Sequence, residues 1–214
     1  MGGAPCLAYP RSMTGNGRGS LVGAFRFAGR GVLDAALLQR NMRLHLVAAV
    51  LVAVFASAVP LGLAEQLALL ASIFLVLSAE VLNTAIEAVV DITTGELNER
   101  ARVAKDAAAG TVLLLAAGAA AVFAVVLTRN WDAMRAAWRD VGRVLALGLP
   151  LAASSALLVF RVRRPLRLDL FAGACGAAVL PPIALLSKSL VFTAVAALAF
   201  VVCAAAAFAR RGRG

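Results

Sequence analysis

The sequence predicts an all-α, polytopic membrane protein, on three observations. Of its 214 residues 62% are hydrophobic and only 15% charged, where soluble domains carry about half apolar and a quarter charged residues. The mean hydropathy is +0.91, which also excludes a disordered chain, since such chains are poor in apolar residues. Six stretches approach the length of about 20 apolar residues that a membrane crossing needs: 44–63, 67–90, 107–128, 144–160, 170–187 and 189–209.

Taken in order, residues 1–19 hold glycines, two arginines and no apolar core, so they are expected to be a disordered start and not a signal peptide. Residues 20–43 mix apolar Val22, Phe25, Val32, Ala36 and Leu37 with arginines, the pattern of an amphipathic helix lying in the membrane interface. Gly29 and Gly31 are expected to weaken or bend it. Pro60 and Gly62 mark a tight turn between the first two spans. The segment 91–106 is the most charged of the chain, and Trp131 and Trp138 fit interfacial anchors. The fourth and fifth spans are short, and Pro181-Pro182 interrupts the fifth, which leaves five or six crossings open.

Charge sets the expected orientation. With six spans both termini share a side, and the segments on that side carry 16 of the 21 Lys and Arg residues. Positive charge favours the cytoplasm, so both termini are expected inside a multi-pass cell-membrane protein. The net charge of +10 suits an anionic lipid surface. Six spans leave no domain to hold a nucleic-acid duplex, so no nucleic-acid partner is expected. Cys6, Cys175 and Cys203 are far apart and form neither a metal spacing nor a disulfide framework.

Against this basic background, six of the 11 acids lie between Glu80 and Asp106. Glu80, Asn83, Thr84, Glu87 and Asp91 are spaced so that, at about 100° per residue, they fall within about 60° of Glu80 on one helix face. Helix-to-helix hydrogen bonding accounts for Asn83 and Thr84. It accounts poorly for two glutamates, because a carboxylate within a span costs about 2.5–3.5 kcal/mol even on lenient scales. Intramembrane acids mark a pathway or a site. A proton or cation relay would repeat ionisable groups in other spans, and these contain almost none. A phosphotransferase would use carboxylates for Mg²⁺ and for a proton, with cations for phosphate. Lys105-Asp106, across a short loop from Asp91, supplies a lysine near a helix start, although Lys105 alone reads equally as a snorkelling anchor. The chain has no GxxxxGK[ST] phosphate loop.

The segments AEVLNTAIEAVVD (79–91) and AKD (104–106), with AFRFAGRG (24–31) and QRNMRLH (39–45) before them, resemble the prokaryotic diacylglycerol kinase family, including its undecaprenol kinase branch. The resemblance covers residues 20–128. It implies a surface helix and three transmembrane helices assembled as a homotrimer, and transfer of the γ-phosphoryl of MgATP to a hydroxyl of a membrane lipid. By resemblance Glu80 is the catalytic base, Asn83 lies near the reaction centre and Glu87 ligates Mg²⁺. Phe27, Glu87, Glu96, Leu97, Asn98, Lys105 and Asp106 match nucleotide-contacting positions. Where the family commonly carries a second metal-binding glutamate, this chain has Gln39, which offers a carbonyl oxygen without charge. His45, the one histidine, reads as a packed residue at the start of a helix.

Residues 129–214 have no counterpart in the three-span kinase and are expected to add about three transmembrane helices as an accessory domain. Arg164-Pro165 resembles a fragment of a lipid-phosphate phosphatase motif, but this half has no histidine to act as nucleophile or acid. The competing functional reading is a catalytically weak scaffold or a transporter on the same fold.

Overall fold

A computed structural model describes residues 21–93, 98–160 and 165–211. Among these the secondary structure is helical throughout, in eight helices. In chain order they are α1 (Leu21–Leu38), α2 (Arg40–Ala58), α3 (Leu63–Thr93), α4 (Glu99–Arg129), α5 (Trp131–Ala136), α6 (Trp138–Phe160), α7 (Leu166–Leu186) and α8 (Leu190–Arg211). Six of them, α2, α3, α4, α6, α7 and α8, are long and apolar enough to cross a membrane. Backbone polar groups in lipid must be satisfied within the segment, which is what an unbroken helix achieves.

The interrupted fifth span is in fact one helix. Pro150, Pro181 and Pro182 all lie inside helices, the last two within α7. Transmembrane helices tolerate such breaks because neighbouring helices and side chains satisfy the freed backbone groups. The surface helix likewise runs through Gly29 and Gly31 without interruption. Its first half stays exposed, with Leu21, Val22 and Phe25 uncovered, while Ala35 and Ala36 are buried where it meets the bundle. Gln39, in extended backbone, separates α1 from α2.

The bundle is organised around α2. Its inward residues, among them Met42, Leu46, Val50, Ala53 and Val54, are buried, and it packs against α8, α6 and α3. The antiparallel pair α3–α4 and the pair α6–α7 flank it. Residues beyond Arg129 therefore pack directly on the first half. The end of the bundle away from the α1–α2 break is tied by polar contacts: Lys188 N donates to Ser57 O at 2.7 Å, and Asn130 Nδ2 donates to Glu65 Oε1 at 3.0 Å. The α3 helix has 31 residues, about 46 Å at 1.5 Å per residue, longer than a hydrocarbon core of about 30 Å, so its polar end can project beyond the lipid.

Close helix approach depends on two glycines. A Cβ on Gly148 of α6 would overlap the Val54 side chain of α2. A Cβ on Gly176 of α7 would lie 2.5 Å from Cζ of Phe200 on α8 and 3.1 Å from Cβ of Ser154 on α6. Small residues at such crossings bring backbones together where lipid gives no hydrophobic drive for association. On the same α7, Gly173 has nothing within 4 Å of a Cβ position. Gly176→Ala is therefore expected to lower the thermal midpoint in detergent through overpacking of about 1–3 kcal/mol. Gly173→Ala is expected to leave it unchanged or raise it, since alanine is the better helix former. Equal shifts from both substitutions would contradict this packing.

Candidate active site

The polar stripe expected on the second span forms one face of α3 and meets the start of α2. Glu80 and Asn83 are buried, Thr84 and Glu87 are half-buried and Asp91 is exposed, so the stripe runs from the interior outward. Thr84 spends its hydroxyl on its own helix, donating to Glu80 O at 2.8 Å.

Two side chains converge on Glu87. Gln39 Nε2 donates to Glu87 Oε2 at 2.5 Å, and Asn83 Nδ2 donates to Glu87 Oε1 at 2.9 Å. The first bond joins residues 48 apart in the chain, and it exists because the break at Gln39 turns the start of α2 toward the α3 stripe. Each carboxylate oxygen thus accepts from a neutral amide. Asn83 Oδ1 is buried without a hydrogen-bond partner.

Glu80 is the most enclosed carboxylate of the stripe, with a residue exposure of 1%. Its Oε1 is sealed from solvent and accepts no hydrogen bond, while His45 Nε2 lies 3.3 Å away. His45 also lines an apolar cavity of about 290 Å³ between α2, α3 and α4, with Ala49, Val76, Ala120 and Phe123 among its walls. The sequence reading of His45 as an ordinary packed residue missed this contact. Its one sequence signal is that it stands six positions after Gln39, and the apposition of α2 to α3 is tertiary information.

A second apolar groove, of about 770 Å³, runs between α1, α2, α3 and α8. Ser78, Val81 and Leu82, which flank Glu80 on α3, form one wall, and Val195, Leu198 and Val202 of α8 form another.

The expected nucleotide positions are dispersed over the helix ends. Lys105 of α4 pairs with Asp91 at the end of α3, closing the connection between those helices. Asp106 receives Arg102 at 2.6 Å, and Arg102 also reaches Glu99 at 2.5 Å. These pairs are exposed, so they contribute little to stability. Asn98 caps α4, accepting from Arg100 N at 2.9 Å. Phe27 is on the exposed part of α1 with Arg26 and Arg30 guanidiniums 5.7 and 5.9 Å from its ring centroid. Glu96 and Leu97 lie outside the described residues.

The donor set fits a hard divalent cation. Glu87 supplies one carboxylate, and the amides of Asn83 and Gln39, which turn their nitrogens to it, carry the neutral oxygens that would join it on a cation. Mg²⁺ in phosphoryl-transfer sites is held by one or two carboxylates together with substrate phosphates. Among the described residues no group of three or more His, Cys, Asp or Glu side chains stands close enough to hold a metal by itself.

Comparison with known proteins identifies the family of the first half of the chain. The prokaryotic diacylglycerol kinase family profile matches residues 26–127. A diacylglycerol kinase of Synechocystis sp. is 43% identical over 104 residues, which are 48% of this chain and 59% of that protein. An undecaprenol kinase of Bacillus subtilis is 40% identical over 93 residues, 44% of this chain and 76% of that protein. No solved structure matches significantly. The chain belongs to the prokaryotic diacylglycerol kinase family.

Proposed function

We propose that the protein is an integral-membrane lipid kinase that transfers the γ-phosphoryl of ATP, bound with Mg²⁺, to the hydroxyl of a membrane lipid of the diacylglycerol or undecaprenol kind. The observation that carries this reading is the unpartnered Oε1 of buried Glu80 beside His45, where His45 lines an apolar cavity. A lipid chain suits such walls, and its hydroxyl needs a proton acceptor at the polar end.

Glu80 takes the proton from the lipid hydroxyl as its oxygen attacks the γ-phosphorus. The bond from that phosphorus to the bridging oxygen breaks and ADP leaves. Glu87, with the amide oxygens of Asn83 and Gln39, would hold Mg²⁺, which when bound neutralises charge between the β- and γ-phosphates. Asn83 fixes the Glu87 carboxylate through its amide nitrogen. His45 keeps the apolar wall closed next to Glu80 Oε1 and excludes water from it. Lys105, Asp106 and Asn98, with Phe27, Glu96 and Leu97, contact the nucleotide. The charge bias of the loops supports a cytoplasmic position for this chemistry and for both termini, and the family resemblance supports a homotrimer.

Phosphoryl transfer depends on positioning and charge, so loss of the base is expected to be severe. Glu80→Gln should reduce ATP-dependent phosphorylation of diacylglycerol and of undecaprenol by at least about 10²-fold, with the size-exclusion profile unchanged. Wild-type rates in that variant would remove Glu80 from the reaction.

Gln39→Glu brings a second carboxylate onto Glu87. Like charges at that distance repel without a cation, so the variant should unfold at lower temperature in chelator. It should also reach half-maximal activity at lower Mg²⁺ than the wild type. An unchanged Mg²⁺ titration would show that residue 39 does not meet the metal.

A further inference from the structure

The inward face of α8 is read off its buried positions: Phe192, Thr193, Ala196, Ala199, Phe200, Cys203, Ala206 and Ala207. The spacing of three and four continues onto Arg210. An arginine in the last turn of a membrane helix ordinarily extends its guanidinium to water. Here the helix phase turns it inward, and Nε, Nη1 and Nη2 are all sealed from solvent with no hydrogen-bond partner.

Arg43 and Asp169 both act on Arg210 electrostatically. Arg43, at the start of α2, donates from Nε to Ala36 O at 3.0 Å and also to Leu37 O, and so caps the end of α1. Asp169 of α7 is engaged by Arg211, whose Nε and Nη2 donate to its Oδ2 at 2.9 and 2.5 Å. With Asp169 engaged by Arg211 and Arg43 by two carbonyls, the Arg210 guanidinium is left without a hydrogen-bond partner among the described residues, where α1, α2, α7 and α8 meet. A buried cation without a counter-charge is among the most costly arrangements in a protein.

We propose that Arg210, with Arg43 and Arg211 around it, forms a binding site for a phosphate group, one that joins the C-terminal half of the chain to the junction of α1 and α2. A guanidinium fork matches two oxygens of a phosphate in one plane, and a phosphomonoester, with nearly two negative charges, would satisfy the three unpartnered nitrogens of Arg210. The site is apart from the Glu80–Glu87 stripe and shares no side chain with it. The same chemistry is offered by the headgroup of a lipid phosphomonoester and by free phosphate. The arginines lie at the helix ends, and Met42, next to Arg43 in the chain, lines the large apolar groove.

Thermal unfolding of the purified full chain in uncharged detergent tests the site. Three additions are compared: short-chain phosphatidic acid, phosphatidylcholine of the same chain length, and inorganic phosphate. At about a hundredfold excess over Kd the wild-type midpoint should rise by about 5–10 °C with phosphatidic acid, and not with phosphatidylcholine. A rise with inorganic phosphate alone would assign the site to the free anion. A rise confined to the lipid would assign it to the headgroup. Arg210→Met should lose the shift, and without additive it should melt above the wild type, because it removes an unpaired buried charge. Glu80→Gln should keep the shift, which separates this site from the kinase centre. Arg210→Lys keeps the charge without the fork and should show a reduced shift, and it serves where the Met variant does not fold. A wild-type shift in Arg210→Met, or no shift in the wild type with either phosphate source, would overturn the proposal.

Discussion

Everything at the centre of this protein follows from placing carboxylates on a membrane helix. A glutamate in a span has no water to solvate it, so the helix must gather partners around it or lose stability. In α3 the partners come from two directions. Asn83 lies one turn from Glu87 on the same helix and is its local partner. Gln39 and His45 come from the first turns of α2 and meet Glu87 and Glu80 respectively. The break between α1 and α2 at Gln39 is thus a requirement of the stripe, since a helix continuous through that position would carry the Gln39 amide away from Glu87. Glu80 is left with one oxygen that nothing satisfies. In an apolar interior that is a standing cost, and it is also the state of a group ready to receive a proton.

The second half of the chain is not an appendage by packing. Its helices α6 and α8 cover the inward face of α2, the helix that presents Gln39 and His45. Gly148 permits the α2–α6 approach, and Gly176 the approach of α7 to α8 and α6. With no hydrophobic force between helices in lipid, these crossings rest on shape, and a single methyl group at Gly148 or Gly176 has nowhere to go. Changes in residues 129–211 can therefore reach the site through the position of α2 without touching substrate.

Much of this was legible in the sequence because it depends on local periodicity. The apolar stretches gave the six spans, and spacings of three and four placed Glu80, Asn83 and Glu87 on one face before any tertiary contact was known. What was not legible depends on pairs distant in the chain. The Gln39–Glu87 bond spans 48 positions, and it is made by an amide whose donor side faces the carboxylate. His45 has no local pattern to distinguish it from a packing residue. Pro181-Pro182 left five or six spans open: a proline pair is a strong break in water, but in α7 neighbouring helices maintain the continuity. Arg210 was counted only as one more cytoplasmic charge, and its inward phase emerges only when the buried face of α8 is known.

The opposed charges of the chain acquire a geometry from this. The acids descend along α3 into the bundle, and the arginines at the ends of α2 and α8 stand apart from them around Asp169. Were the arginines only orientation signals, water would be the better place for every guanidinium, and no helix phase would matter. Arg211 meets Asp169 and Arg43 meets the carbonyls of α1, so both are held in fixed places that a topogenic charge does not need. The groove between α1, α2, α3 and α8 has walls from both halves of the chain, with Ser78 and Val81 beside Glu80 on one side and Val202 and Ala205 of α8 on the other. An apolar chain in that groove would touch α3 beside Glu80 and α8 at Val202 and Ala205, so the C-terminal half bears on the groove as directly as the helices of the first half do.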